Sequence, residues 1–91
     1  MGLVANFVSM ERYTGTLEFE YLGKVKKVDY AMTNLGGTPH IYILDKRRQH
    51  YAFFYQEGEW HLSGNYKLKW PQDFIDVLFA CFELARQKHG L

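Results

Sequence analysis

The sequence predicts one α+β domain over residues 1–91: an antiparallel meander sheet of about five strands, with one C-terminal amphipathic helix packed on one face. Two patterns predict this fold class. Apolar residues recur with a period of two along the strands predicted within residues 12–66, and an apolar stripe with helical spacing occupies residues 71–89. The aromatic content of 18% supplies enough ring surface for a core without disulfides.

The clearest alternation runs over 13–21, where aromatic and aliphatic residues point one way and Thr and Glu residues point the other. This pattern is typical of a half-buried antiparallel strand. A second strand follows a turn near Gly23. Two registers of this hairpin remain open, because Val28 lies opposite Leu17 if the turn is Leu22-Gly23 and opposite Phe19 if it is Gly23-Lys24.

Three more strands are predicted after a loop over 34–39, whose Asn-Leu-Gly-Gly-Thr-Pro run is the longest turn-forming segment. We expect strand three at 40–44, strand four at 49–56 and strand five at 59–66. Glu57-Gly58 provides a two-residue turn between the last two strands. This turn pairs Tyr55 with Trp60, Phe53 with Leu62, and Tyr51 with Gly64.

The alternation of side chains between the two faces, called parity below, predicts the length of the turn between strands three and four. If Tyr51 and Phe53 face the core, Ile43 and Ile41 must lie opposite them, which requires an odd number of loop residues. The simplest solution is the three-residue loop Lys46-Arg47-Arg48, accompanied by a bulge.

The helix is predicted from Pro71, whose missing N–H is tolerated in a first turn, to a stop near Gly90. Its apolar line contains Phe74, Leu78, Cys81 and Ala85, flanked by Ile75, Val77, Phe82 and Leu84. Segment 1–10 carries the apolar residues Leu3, Val4, Phe7 and Val8, whose spacing fits a short helical segment that could lie on the sheet.

Composition narrows the function classes. The net charge of +1 disfavours a strongly basic nucleic-acid binder or an acidic tail. The only cysteine, Cys81, lies in the helix stripe, where burial keeps a thiol inert, and no His/Cys spacing resembles a metal site. We therefore expect no catalytic residue, no cofactor, no metal and no membrane segment. A cytoplasmic location is the natural interpretation of a single cysteine.

The sheet face turned away from the helix is the strongest functional signal. Strand one is polar on this face, as a solvated antiparallel sheet requires, but strands three to five place apolar and aromatic residues there. We expect a non-enzymatic interaction module, self-associating as a homodimer or binding another protein, through a candidate interface of Tyr42, Leu44, Phe54, His61 and Phe79. In the alternative interpretation, segment 1–10 folds back and covers Tyr42 and Phe54.

Two other functions remain open. Lys46, Arg47, Arg48 and His50 place cations beside aromatic rings at a hairpin tip, an arrangement that weak single-stranded nucleic-acid binders use. Cations at a hairpin tip also serve solubility alone. A small-molecule pocket between helix and sheet, with the Gly36-Gly37 loop as its mouth, is the remaining alternative.

Overall fold

The computed structural model describes residues 12–45, 48–64 and 68–91, with backbone only for residues 45 and 48–50. Five strands form one antiparallel sheet in chain order, followed by one helix, which confirms the predicted fold class. The elements are β1 Arg12–Tyr21, β2 Lys24–Leu35, β3 Thr38–Asp45, β4 Arg48–Gln56, β5 Glu59–Leu62 and α1 Gln72–Lys88. Segment 1–10, with its predicted short helix, lies outside the described residues.

The first hairpin, β1–β2, turns at Leu22-Gly23. Both residues have positive φ values, 53° and 76°, as a type I′ turn requires. Leu17 therefore pairs with Val28, which selects one of the two registers that the sequence left open. In this register the buried Leu17 lies opposite the half-buried Val28 on one face of the sheet.

The predicted long loop over 34–39 is wrong. β2 continues to Leu35 and β3 begins at Thr38, so only Gly36-Gly37 forms the turn, with φ values of 60° and 88°. Pro39 lies inside β3 opposite Asn34. Proline is tolerated there because the described pairing of β3 with β4 begins only at the next residue, His40, so the ladder needs no N–H from Pro39 on that side.

The predicted pairing of β3 with β4 is confirmed, but the predicted three-residue loop is wrong. Ile43 pairs with Tyr51 and Ile41 with Phe53, as parity required. Arg48, however, already pairs with Asp45, and the register shifts beside Ile43, where β4 holds one extra residue. A bulge inside the strand therefore supplies the odd residue that was expected in the turn.

The last hairpin turns at Glu57-Gly58, with φ values of 54° and 80°, and its pairs Tyr55–Trp60 and Phe53–Leu62 agree with the prediction. β5 is shorter than predicted, because it ends at Leu62. The next residue, Ser63, still donates its N–H to the Ala52 carbonyl at 2.8 Å. The expected pair of Tyr51 with Gly64 is not part of the described ladder.

Helix α1 covers one face of the sheet, called the core face below. Its buried side chains are Leu78, Phe82 and Ala85, whereas Leu84, expected beside the apolar line, is 67% exposed. The buried stripe is therefore rotated toward Phe82 relative to the prediction. The core combines Leu78, Phe82 and Ala85 with residues of all five strands: Leu17, Tyr30, Met32, Ile41, Ile43, Phe53 and Trp60.

Polar and aromatic contacts fix both ends of α1 to the first hairpin. Near the helix start, Tyr21 donates its hydroxyl to Asp73 Oδ1 at 2.9 Å. After the last turn, His89 stacks on Tyr13 with ring centroids 4.6 Å apart, and His89 Nε2 shares a 2.8 Å hydrogen bond with the hydroxyl of Tyr30. Helix α1 therefore runs antiparallel to β1, with one contact at each end.

Candidate interaction surface

The sheet face opposite α1 is called the second face below. It carries the side chains that alternate along each strand with those facing the core. One row of directly paired residues crosses it from β1 to β5: Arg12, Thr33, His40, Phe54 and His61. The neighbouring row contains Thr14, Ala31, Tyr42 and Ala52. Both rows begin with a polar residue on β1. The first row carries an aromatic ring on each strand from β3 to β5, whereas the second carries one ring, that of Tyr42 on β3.

Four rings on β3, β4 and β5 form a cluster, called the aromatic cluster below. Phe54 lies between two histidines: its centroid is 5.2 Å from that of His61 and 6.1 Å from that of His40. Tyr42 stacks with His40, and their ring centroids are 6.4 Å apart. Such separations fall in the range in which aromatic pairs attract each other. Each ring is thus held by a neighbour across the sheet or along the strand.

One hydrogen bond fixes the imidazole of His40 within this cluster. Its Nδ1–H donates to the Thr38 carbonyl at 2.9 Å, since a carbonyl oxygen can only accept. In the neutral form of the ring, the other nitrogen, Nε2, is then the hydrogen-bond acceptor. The cluster thus combines apolar ring surface with polar atoms, a mixture that is typical of protein-binding surfaces.

The same face of the first hairpin is different. Thr16 donates its hydroxyl to Asp29 Oδ1 at 2.8 Å, and Lys27 lies 3.6 Å from Glu18. Both contacts are exposed, and the ion-pair side chains are 67% and 62% accessible. This half of the second face has the composition of a solvated sheet surface.

Burial also differs across the second face. Tyr42, Leu44 and Phe54 are half-buried and His61 is exposed, whereas Ala31 is completely buried at 0% exposure. The suggestion that Leu3, Val4, Phe7 and Val8 cover this face falls on segment 1–10, outside the described residues.

Of the predicted interface residues, the structure brings Tyr42, Phe54 and His61 together and places Leu44 on the same face. Phe79 does not belong with them. Its ring centroid lies 5.6 Å from that of Phe53 and 5.7 Å from that of Phe82, so Phe79 packs on the core face. Its expected position was wrong because the buried stripe of α1 is rotated.

Sequence reasoning missed His40, although the necessary signal was present. His40 has the same parity in β3 as Tyr42 and Leu44, so the alternation that placed those two on the second face places His40 there too. Its position in the alternation along β3, rather than its residue type alone, identifies His40 as part of the aromatic cluster.

The candidate nucleic-acid residues are only partly described. Lys46 and Arg47 lie outside the described residues, and for Arg48 and His50 the backbone alone is described, within β4. Arg48 pairs with Asp45, and His50 is the extra residue of the bulge, between Gln49 and Tyr51.

A groove of about 190 Å³ lies between α1 and the first hairpin. It is lined by Thr16, Leu17, Glu18 and Tyr30 from the strands and by Cys81, Leu84, Ala85 and Lys88 from the helix. The Gly36-Gly37 turn, expected as the mouth of a pocket in this region, is not among the lining residues.

Burial shifts the pKa values of three titratable groups near this groove. Burial raises the pKa of the Cys81 thiol, which disfavours the nucleophilic thiolate. Burial also raises the pKa of the Tyr30 phenol, which is 2% exposed, and lowers the pKa of the His89 imidazole. Their hydrogen bond therefore joins two neutral groups beneath the end of α1.

Within residues 12–45, 48–64 and 68–91, no three His, Cys, Asp or Glu side chains are grouped so that they could hold a metal ion. None of the described helical residues forms a segment long and apolar enough to cross a bilayer.

The chain matches no protein-family model, no curated protein and no solved structure.

Proposed function

We propose that this protein is a non-enzymatic interaction module that binds a protein partner through the β3–β5 half of its second face. The observation that carries the proposal is the aromatic cluster, in which Phe54 lies between His40 and His61 across three strands. Aromatic side chains surrounded by polar atoms are enriched where proteins bind one another.

Two further observations support the proposal. The helix already covers the core face, so the core does not require aromatic residues on the other side. In addition, the neighbouring hairpin places Thr, Asp, Glu and Lys on the same face, which is the usual composition of a sheet in contact with water. The change in composition within one continuous face favours a localised binding surface.

Site-specific photo-crosslinking tests the proposal. We would replace Phe54 or Tyr42 with p-benzoylphenylalanine in the full chain, express the variants in cells and identify the crosslinked peptides by mass spectrometry. Lys27 is the matched control, because it lies on the same face but in the polar hairpin, on β2 rather than at the sheet edge. We expect positions 54 and 42, but not 27, to crosslink to one discrete protein.

Specificity is tested by competition. Purified wild-type protein should reduce the crosslink at least tenfold, whereas Phe54→Ser protein, which lacks the central ring, should not. Crosslinks confined to residues 1–11 of the same chain would contradict the proposal, because the chain would then cover its own aromatic cluster.

The groove beside α1 supports a second candidate function, binding of a small molecule. Its walls combine apolar side chains with the ammonium of Lys88, so an amphipathic ligand carrying a negative charge fits best. A thermal-shift screen of aromatic carboxylates tests this candidate. Hits should raise the melting temperature of wild type but not of Leu84→Trp, in which an indole fills the groove; equal shifts would contradict it.

We retain two weaker proposals. A cytoplasmic location is supported by one unpaired cysteine in the chain. Weak nucleic-acid binding through Lys46, Arg47, Arg48 and His50 stays a prediction, supported by their cationic and aromatic sequence context alone. Titration with labelled oligonucleotides at low salt would test it, and steep salt dependence is expected.

A further inference from the structure

β1 is one edge of the sheet and offers an unusually long template for another strand. It contains ten residues, whereas the opposite edge, β5, contains four. β2 pairs with one side of β1, and no strand within the described ranges pairs with its other side. A long exposed edge presents a row of backbone N–H and C=O groups that another strand can bind.

The turn at Leu22-Gly23 fixes which backbone groups point outward. A two-residue turn is closed by a hydrogen-bonded pair, here Tyr21 and Lys24, and bonding toward β2 then recurs at every second residue. The residues between turn their N–H and C=O away from β2. These are Arg12, Thr14, Thr16, Glu18 and Glu20, whose side chains lie on the second face.

The charges on these residues select antiparallel pairing with a second copy of the same strand. The cation Arg12 lies at one end of β1 and the carboxylate Glu20 at the other. If Thr16 of both copies lies on a two-fold axis, Arg12 of each copy lies opposite Glu20 of the other. Glu18 then lies opposite Thr14. A shift that places Glu18 opposite Glu18 brings like charges together, which is unfavourable.

The core face agrees with this register. Tyr13 then lies opposite Phe19 of the second copy, a favourable aromatic pair. Gly15, which has no side chain, lies opposite Leu17. Both pairs occur twice because of the symmetry, and all four residues belong to the core side of β1.

The groove and its rim provide independent support. Thr16 and Glu18 have side chains on the second face, yet they line a groove on the core face, so the groove reaches the backbone along the outer edge of β1. Leu84 of α1 forms part of this groove and is 67% exposed, although it is a large apolar residue. A second copy at the edge would cover both.

We propose that the chain forms a two-fold symmetric dimer through antiparallel pairing of β1 with β1 of a second copy, with Thr16 at the axis. The two sheets then form one continuous sheet with both helices on the same side. If the proposed function holds, the two aromatic clusters also lie on one side, and a partner with two docking segments would bind with increased avidity. The dimer itself does not depend on that function.

Sedimentation velocity of the full chain at several concentrations tests the proposal. We expect wild type to dimerise. Arg12→Glu alone and Glu20→Arg alone each place like charges opposite one another and should weaken the dimer at least tenfold. An equimolar mixture of the two variants should form a heterodimer, since both contacts are then again between opposite charges. Glu57→Arg, a charge reversal at an exposed distant turn, is the matched control and should dimerise like wild type.

Crosslinking tests the register. With Cys81 replaced by Ser, Thr16→Cys should form an intermolecular disulfide on mild oxidation. Glu20→Cys should not, because the two thiols would lie about 27 Å apart at a rise of about 3.3 Å per residue.

Three results would overturn the dimer proposal: a monomer at all concentrations, a dimer that resists both charge reversals, or a dimer that Phe54→Ser dissociates. The last result would place self-association on the second face. The charge reversals should leave position 54 able to crosslink to the same protein as in wild type, so failure of the dimer and failure of the proposed function are distinguishable.

Discussion

The two halves of the sheet are built on the same core face but differ on the other. In the first hairpin, Thr16, Asp29, Glu18 and Lys27 make exposed polar contacts on the second face. In β3–β5 the same face carries the aromatic cluster around Phe54. Because the helix packs on the core side of both halves, folding alone does not require this difference. The comparison shows where the chain carries apolar surface beyond the needs of its core.

Substitutions of Phe53 and Phe54 should show the largest difference between the two faces, because these residues are neighbours in β4 that point to opposite faces. Phe53 is fully buried against Phe79 and Phe82, so Phe53→Ala should lower the free energy of unfolding by about 3–5 kcal/mol. Phe54→Ala should lower it by only about 1–2 kcal/mol, since it loses ring contacts on a half-buried surface. Urea unfolding measures both, and equal losses would contradict the distinction between the faces.

Gly15 tests how closely the first hairpin is packed on the core face. A Cβ at this position would lie 2.9 Å from the Tyr30 hydroxyl oxygen, which is itself bonded to His89. Gly15→Ala should therefore cost about 1–3 kcal/mol of unfolding free energy. In a Tyr30→Leu background the same substitution should cost less, because the hydroxyl oxygen and the two ring carbons at 3.0 Å are all removed. A double-mutant cycle checks this, and strictly additive effects would refute the contact.

The His89 contact predicts how stability depends on pH. Burial lowers the pKa of His89 in the folded state, so the unfolded chain takes up the proton first as the pH falls. The contribution of neutral His89 is complete above about pH 6.5, the ordinary His value, and declines as the pH falls through the lowered folded-state value. Between pH 7.5 and pH 5.5, urea unfolding should show a smaller decrease in the free energy of unfolding for His89→Gln than for wild type. An identical loss in both proteins would contradict the assignment.

The smallest effect is expected on the polar half of the second face. The Lys27–Glu18 pair is exposed on both sides, so Lys27→Ala should change the free energy of unfolding by less than about 1 kcal/mol. Thermal unfolding at low and high salt provides the measurement. A loss as large as that of Phe54→Ala would mean that the two halves of the face do not differ energetically.

Alternation predicted the strands, their order and the two faces because period-two burial is a local property of the sequence. Tyr51, Phe53 and Tyr55 identified the core face of β4, and parity then fixed their partners across β3. The local sequence does not determine where the extra residue lies, because a longer turn and a bulge within the strand give the same pairing of faces. The pairing was therefore predictable, whereas the position of the bulge was not.

The candidate surface was predictable to a similar extent. Tyr42, Phe54 and His61 followed from parity, but Phe79 was misplaced because the rotation of a helix about its axis depends on which side chains the sheet accommodates. Leu84, expected near the buried line, is exposed for the same reason. Helix orientation and the Gly36-Gly37 turn depend on tertiary packing and turn geometry, which hydropathy alone does not encode.

Hydroxyl-radical footprinting of the purified full chain tests the central claim most directly, because Phe53 and Phe54 can be compared within one molecule. If the β3–β5 half of the second face is available to a partner, Phe54 and Tyr42 should be oxidised at least tenfold faster than the fully buried Phe53. Protection of Phe54 equal to that of Phe53, in a sample shown to be monomeric, would contradict the account, because the chain itself would then cover the proposed surface.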